Sequence, residues 1–334
     1  MELIDLTLIW VAIIGFGVFM YVLMDGFDLG VGILYPFARN EDHRDVMMNS
    51  VAPVWDGNET WLILGGAGLL AAFPLIYAVF LPALYIGVFL LLAGLIFRGV
   101  AFEFRFKSAP GKRGPWNWSF FLGSLVASFA QGAVVGAYIQ GFEVEGFSYV
   151  GGPLDWLTPF TVMTGLGLVA GYTLLGATWL IMKTEGDLQD WAYRMARWML
   201  GAVLAVYVIV SLWTAVAHPH ILERWLENAT VLWVFPTLSV LAGLWLWRGL
   251  TQRNEGTPFV ATLVLFVLAY AGLLISMWPY AVPPEHTFWD ASSSPDAQLF
   301  TLVGILFVVP IILAYTAWTY WVFRGKVRVG EGYH

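Results

Sequence analysis

Two aspartates in the first apolar segment of the chain are the residues most suited to chemistry. Asp25 and Asp28 lie in the stretch MDGFDLG at residues 24–30. They are three positions apart, about 60° around a helix, so they share one face. An ionisable side chain inside a membrane-spanning helix is costly and marks a functional candidate by default. Carboxylates in such a position can pass protons along a chain or hold a cation, so the pair predicts a proton relay or a cation site.

Further charged residues fall at the same level of the predicted membrane. Asp56 and Glu59 occupy the first turn of the second apolar segment, where the helix dipole favours negative charge. Arg98 and Glu103 lie near the end of the third segment. We therefore expect one cluster near one membrane interface, made of Asp25, Asp28, Asp56, Glu59, Arg98 and Glu103. A purely structural explanation also stands, in which Asp56 and Glu59 cap a helix and Arg98 pairs with Glu103.

The composition requires that membrane helices position these residues. Hydrophobic residues make up 59% of the 334 residues and charged residues only 12%, about half of what a soluble domain of this size carries. The mean hydropathy is +0.74. The apolar segments are long enough to cross the hydrocarbon as helices, and they lack the alternation of barrel strands. The prediction is an all-α integral membrane protein with about nine transmembrane helices, forming one polytopic membrane domain over residues 1–334.

The nine segments are separated by charged, Gly-rich or Pro-rich connections. Arg39 to Arg44 is predicted to be a charged loop, and the stretches 143–155 and 279–295 are predicted to be longer polar loops. The first segment has no basic region before it and no small-residue cleavage site, so we interpret it as a retained helix. The predicted helices span residues 7–36, 52–73, 76–106, 116–141, 158–183, 191–217, 229–248, 257–278 and 298–323.

The distribution of positive charge predicts the orientation. With nine crossings, every Lys and Arg except Arg224 falls on one side of the membrane. Basic residues accumulate on the cytoplasmic side of membrane proteins. The prediction is an N-terminus on the periplasmic side and a C-terminus in the cytoplasm. The cluster of carboxylates then lies in the cytoplasmic half.

Several kinds of redox and metal chemistry lack their usual residues. Cysteine is absent, so neither a disulfide nor a cysteine-ligated cluster can form. All five histidines, which are His43, His218, His220, His286 and His334, fall in predicted loops or at the terminus, whereas a haem within the bilayer needs axial ligands there. The pair His218 and His220 is a weak metal signal, and the methionines are more typical of core packing. We expect no metal site and no cofactor bound by this chain, and no redox chemistry by the chain alone.

Six motifs in the same order resemble subunit II of the cytochrome bd-type quinol oxidases, and within them the cyanide-insensitive branch. They run along the whole chain, and the combination of the first two motifs with the late ones is specific. The motifs are MDGFDLG at 24–30, NSVAPVWDGNETWL at 49–62, FRGVAFEFR at 97–105, WPY at 278–280, FWDASS at 288–293 and PIILAYTAW at 310–318.

The resemblance implies a subunit of a terminal oxidase that takes electrons from a membrane quinol and reduces dioxygen to water. It implies a heterodimer with a haem-bearing subunit I, which holds haems b and d or b-type haems only, and a haem-free fold of two four-helix bundles plus one peripheral helix. A small single-helix subunit, membrane lipid and quinone are further partners to expect. Nucleic acid is not an expected partner. The implied location is the bacterial cytoplasmic (inner) membrane.

The family associates acidic residues of the first two membrane helices with proton uptake from the cytoplasm. By that resemblance Asp28 and Asp56 are the relay carboxylates. The neighbouring candidates are Asp25 and Glu59 as further members of the path, with Trp55, Arg98 and Glu103 as supporting residues. The alternative from another functional class is a proton- or cation-coupled secondary transporter that uses the same acids. Transporters commonly contain matched repeats with broken helices, and the Gly and Pro interruptions here do not fall in matched positions.

Overall fold

The computed structural model describes residues 5–227 and 229–330, and this part of the chain is almost entirely helical. The chain order alternates long helices with short connections. The helices are α1 (Leu6–Leu34), α2 (Glu41–Val51), α3 (Trp55–Ala72), α4 (Pro74–Lys107), α5 (Gly114–Gln140), α6 (Pro159–Lys183), α7 (Gly186–Ala217), α8 (Pro219–Glu227), α9 (Ala229–Thr251), α10 (Thr257–Met277) and α11 (Pro295–Val322).

The long helices of the described residues correspond one to one to the nine predicted segments. Eight of them are long and apolar enough to cross a membrane. The ninth, α3, has 18 residues and begins with the polar run Asp56 to Thr60, which lowers its hydropathy. At 1.5 Å per residue α3 is still about 27 Å long, close to the thickness of the hydrocarbon. The all-α, multi-pass membrane architecture is confirmed.

The packing forms two rings of four helices and one outlying helix. In the first ring α1, α3, α4 and α5 contact one another in a closed circuit, and in the second α6, α7, α9 and α10 do the same. Helix α6 joins the rings by packing on α1 and α5. Helix α11 packs mainly along α3 and α1 and is mostly exposed. The two four-helix bundles with one peripheral helix are therefore present.

Glycines permit the closest helix crossings, one of which lies beside the aspartates. A Cβ added to Gly30 of α1 would lie 1.8 Å from the backbone oxygen of Tyr172 in α6, and one on Gly176 would lie 2.3 Å from the backbone carbon of Gly30. These distances are far below van der Waals contact, so only glycine fits. The crossing places Asp28 two residues from a backbone-to-backbone contact and buries it.

The segment around Arg39 to Arg44 differs from the predicted loop, because helix α2 begins at Glu41. The side chain of Asn40 caps this helix by accepting a hydrogen bond from the backbone N–H of His43 at 2.8 Å. Glu41 and Asp42 add negative charge to the first turn, which stabilises a helix N-terminus. The prediction of a charged loop beyond Arg39 was therefore wrong, because these capping signals outweigh the low hydrophobicity.

The two predicted polar loops, 143–155 and 279–295, lie at the end of the long helices opposite α2, and each contains a short β-hairpin. One pairs β1 (Val144–Glu145) with β2 (Ser148–Tyr149), and the other pairs β3 (Tyr280–Val282) with β4 (His286–Thr287). The hairpins contact each other, since the His286 ring stacks on Phe147 at 4.0 Å and its Nε2 lies 2.6 Å from the carbonyl oxygen of Gly146. The two bundles are thus linked at this end by their loops.

Candidate functional site

A buried arginine pairs with two carboxylates from two other helices. The guanidinium of Arg98 in α4 donates through Nη1 to Asp25 Oδ1 in α1 at 2.5 Å, and through Nη2 to Glu59 Oε1 in α3. The side chains of Arg98 and Asp25 are fully buried, while that of Glu59 is 25% exposed. One positive charge is therefore shared between two negative charges inside the first bundle.

The second aspartate of α1 has a neutral partner instead. Asn58 of α3 donates through Nδ2 to Asp28 Oδ2 at 2.6 Å and to the backbone oxygen of Met24 at 3.2 Å. The hydroxyl of Tyr320 in α11 donates to Asn58 Oδ1 at 2.9 Å. Asp28 is 0% exposed and Asn58 is 1% exposed. Helices α1, α3 and α11 thus meet through one chain of hydrogen bonds.

Aromatic side chains enclose the cluster. Trp55 stacks on Phe102 with ring centroids 4.9 Å apart, and the Arg98 guanidinium lies 5.9 Å from the Trp55 ring. On the α6 side of the cluster, the hydroxyl group of the buried Tyr172 donates a hydrogen bond to Gln131 Oε1. This packing keeps water from most of the cluster, which strengthens each charge interaction within it.

The charges of the cluster do not balance if every acid is ionised. Arg98 supplies one positive charge, and Asp25, Glu59 and Asp28 would supply three negative ones. An uncompensated carboxylate is costly in such a place. Asp25 Oδ2 and Asp28 Oδ1 have no hydrogen-bond partner within the described part of the chain. The arrangement can therefore bind or pass on a positive charge, of which a proton is the smallest.

Two residues of the predicted cluster lie outside it. Asp56 is on the exposed side of the first turn of α3. Glu103 points to the surface and accepts a hydrogen bond from Lys107 one turn later at 2.8 Å, with both side chains largely exposed. The expected pairing of Arg98 with Glu103 was wrong, because the five-residue separation puts the two side chains on different sides of α4. Asp25, Asp28, Glu59 and Arg98 do come together, with Trp55 beside them.

Sequence reasoning missed two parts of the polar core. Asn58 lies within the motif at 49–62, and its amide type next to two acids was the available signal. A second buried arginine, Arg105, bonds Asp45 at 2.6 Å and Glu41 at 3.1 Å, and accordingly ties α4 to α2. No sequence signal pointed to this pairing, because α2 itself was not predicted.

The described histidines do not offer haem ligands between the helices. His43 lies in the short helix α2, His218 and His220 lie at the junction of α7 and α8, and His286 lies in β4. Among the described residues there is also no group of three or more potential metal ligands. His334 lies outside the described residues.

These features define a class: a polytopic, all-helical membrane protein with a buried carboxylate–guanidinium cluster near the basic end of its helices. Comparison with known proteins narrows this class. A family model described as cytochrome bd terminal oxidase subunit II matches residues 6–323.

Individual relatives match over nearly their full length. Cytochrome bd-I ubiquinol oxidase subunit 2 of Escherichia coli K12 is 33% identical over 363 residues, which cover 96% of this chain and 95% of the relative. Cytochrome bd ubiquinol oxidase subunit 2 of Bacillus subtilis 168 is 29% identical and covers 98% and 97%. A chain in the structure of bd oxidase from Geobacillus thermodenitrificans shares the fold with a TM-score of 0.81 at 17% identity, covering 96% of this chain and 99% of that one.

The chain belongs to the cytochrome bd terminal oxidase subunit II family. The resemblance drawn from the six sequence motifs is confirmed at this level. These relatives are not named as cyanide-insensitive, so assignment to that branch stays a prediction.

Proposed function

We propose that this chain is the haem-free subunit II of a respiratory quinol:dioxygen oxidoreductase in the bacterial cytoplasmic membrane. It pairs with a haem-bearing subunit I, which carries out the electron transfer from quinol to dioxygen. Family membership over residues 6–323 and the names of the relatives, which are ubiquinol oxidase subunits, support this proposal. A small single-helix subunit, lipid and quinone remain expected partners.

The chain's own contribution to chemistry in this proposal is a proton-uptake path. Reduction of one dioxygen to two waters consumes four protons, and drawing them from the cytoplasm adds to the membrane potential. Asp56 and Glu59 lie at or near the surface, and Asp25 and Asp28 lie in the interior. Together they form a series of carboxylates from the basic end into the bundle.

The single observation that carries the path is the environment of Asp28. Its carboxyl group is fully buried and bonds a neutral amide, while the nearby guanidinium of Arg98 already serves two other acids. A proton is the simplest counter-charge that Asp28 can acquire and release. Arg98 forms ion pairs with Asp25 and Glu59. These two carboxylates are therefore neighbours of Asp28 but not free bases.

The test is substitution of the two relay carboxylates in the assembled oxidase. Asp28→Asn and Asp56→Asn remove the exchangeable proton but keep the shape of the side chain, so the complex should assemble with its haems while its turnover falls. Asp42→Asn is a matched control, since Asp42 is an exposed acid at the same end of the molecule. Full turnover with Asn at both positions would refute the relay and leave a structural role.

A secondary transporter that uses the same acids is the alternative function. Family membership argues against it, and nothing in the described geometry favours it specifically. Liposomes that contain only this chain provide the direct comparison. Uptake of an ion or solute by these liposomes would support transport, and its absence would agree with a subunit that acts only in a complex.

A further inference from the structure

A cavity lies at the basic end of the first four-helix bundle, where α1 leads into α2 and where α5 begins. Its volume is about 270 Å³, far more than the roughly 10–15 Å³ that one water molecule needs on the same measure. The cavity is open to the surface, so a group larger than water can enter it. The lining residues are Pro36, Arg44, Gly114, Asn117 and Trp118.

The ion-pair network beside the cavity contains one more positive charge than negative charges. Arg105 bonds Asp45 at 2.6 Å and Glu41 at 3.1 Å. Arg113 also pairs with Asp45, at 3.3 Å. Arg44 also donates to Glu41, through Nη1. The exposed neighbours in sequence carry one charge of each sign and are Asp42 and Lys112. Three guanidinium groups therefore share two carboxylates, and an anion in the cavity would balance the charges.

Two of the lining side chains have hydrogen-bond donors left for an occupant. Among the described residues, Glu41 is the only acceptor for the guanidinium of Arg44, whose other two nitrogens remain. Asn117 Oδ1 accepts hydrogen bonds from Arg105 Nε at 2.7 Å and from the Tyr35 hydroxyl at 3.4 Å. The amide nitrogen of Asn117, which carries two N–H donors, is therefore the end left over. A guanidinium fork and an amide N–H group are donors that suit phosphate oxygens.

An apolar surface leads away from the cavity along α5. Trp118 and Leu122 lie one turn apart on this helix and are 57% and 48% exposed. Beside Pro36, the side chain of Phe37 is 63% exposed. Exposed aromatic side chains near helix ends are typical of the membrane–water interface. Because α5 runs into the membrane from Gly114, an apolar chain that followed Trp118 and Leu122 would enter the hydrocarbon.

We propose that this cavity binds the phosphate headgroup of an anionic phospholipid from the leaflet at the basic end of the helices. Arg44 and the Asn117 amide bond the phosphate oxygens, and an acyl chain lies along Trp118 and Leu122. Basic pockets between membrane helices suit such headgroups. Free phosphate would gain only the charge interaction and a zwitterionic lipid mainly the apolar contact, so both observations favour the anionic lipid. The inference requires only a membrane-spanning chain and does not depend on the proposed relay.

The first experiment locates the lipid on the protein, purified from its native membrane with the partners it retains and then delipidated in detergent. A phosphatidylglycerol with a diazirine near its glycerol is photocrosslinked, and the labelled peptide is identified by mass spectrometry. We expect label at the start of α5, within residues 114–122. Unlabelled phosphatidylglycerol should compete at about one-tenth of the concentration that phosphatidylcholine requires, since a further charged hydrogen bond is worth about that factor. Inorganic phosphate at the same concentrations should not compete.

Arg44→Gln tests the charge and should weaken phosphatidylglycerol binding by about ten-fold. Glu41 keeps its bond to Arg105, so the variant should fold normally. Arg248→Gln is the matched control, because Arg248 is exposed at the same end, follows the 51% exposed Trp247 and does not line the cavity. It should bind the lipid like wild type. A ligand stabilises the state that it binds, so phosphatidylglycerol should raise the Tm of wild type and of Arg248→Gln more than that of Arg44→Gln.

A second variant decides the outcome if Arg44→Gln does not fold. Gly114→Leu narrows the cavity without removing a charge, and an added Cβ at Gly114 meets no atom within 4 Å. It should also reduce the labelling of residues 114–122. Label only at other peptides, equal competition by phosphatidylcholine, or competition by inorganic phosphate would each overturn the proposal. Wild-type lipid binding by a folded Arg44→Gln, or unchanged labelling of Gly114→Leu, would overturn it as well.

Discussion

At the level of single residues, two arginines buried between the helices, Arg98 and Arg105, each pair with two carboxylates. Arg98 is fully buried and is bonded to acids from two helices. Burying such charges is costly, and mutual attraction offsets the cost only when the geometry and the hydrogen bonds are good. Removing one partner therefore costs much more stability than the intact pair contributes, because the remaining charges stay buried without compensation.

Arg98→Gln should destabilise the assembled protein strongly. The change leaves Asp25 and Glu59 without their cation, which for a buried pair typically costs about 3–5 kcal/mol. Thermal unfolding of the purified complex in detergent measures the effect as a lower Tm, and Arg194→Gln is the control because Arg194 is exposed at the same end. Equal Tm values for the two variants would mean that the ion pair is not important for stability.

At the scale of elements, the position of the aspartates depends on how closely α1 approaches α6. Gly30 and Gly176 bring the two backbones into direct contact. Small residues at helix crossings are the usual means of close packing in membranes, where hydrophobic burial gives little discrimination between partners. This crossing fixes the rotation of α1 about its axis, so Asp25 and Asp28 face α3 and α4 rather than lipid.

Gly30→Ala should prevent correct packing, although alanine favours helix formation. The added Cβ would lie 1.8 Å from a backbone oxygen, which cannot move without shifting α6. Gly201→Ala on α7 is the matched control, because no atom lies within 4 Å of its added Cβ and alanine stabilises a helix by about 0.5–1 kcal/mol relative to glycine. Size-exclusion profiles and thermal stability should show loss for the first variant and none for the second. A well-folded Gly30→Ala protein would contradict the crossing geometry.

At the scale of the whole molecule, the two four-helix bundles have chemically different ends. The basic residues other than Arg224, including the buried Arg98 and Arg105, lie at one end, together with the carboxylate cluster. The opposite end carries the two β-hairpins and the acidic loops around Glu143 and Asp290. The membrane orientation that follows from this asymmetry decides which compartment the cluster faces.

Accessibility of single cysteines should reveal this orientation. The chain has no native cysteine, so each introduced thiol reports alone. Ser148→Cys in β2 and Lys112→Cys between α4 and α5 are exposed positions at opposite ends. In intact cells or spheroplasts, a membrane-impermeant maleimide should label Ser148→Cys at once and Lys112→Cys only after permeabilisation. The reverse pattern would place the carboxylate cluster on the outer side and rule out cytoplasmic uptake through it.

The features that could be predicted from the sequence are those that depend on local properties of the chain. Hydropathy over about 20 residues predicted the nine long helices, since each one must satisfy its own backbone hydrogen bonds in lipid. The three-residue spacing of Asp25 and Asp28 predicted a shared face. The motifs predicted the family, because their order and residue types are specific. Helix α2 was missed because it is polar, and the capping residues that stabilise it leave no mark on a hydropathy profile.

Which side chains meet depends on how the helices pack against one another. Arg98 turned to Asp25 and Glu59 rather than to Glu103, Asp28 found Asn58 and Tyr320, and Asp56 stayed on the surface. Contacts between helices depend on the rotation of each helix about its axis and on where their backbones cross. Those quantities are set by the simultaneous packing of several helices at sites such as Gly30 and Gly176, and no single segment of sequence contains them.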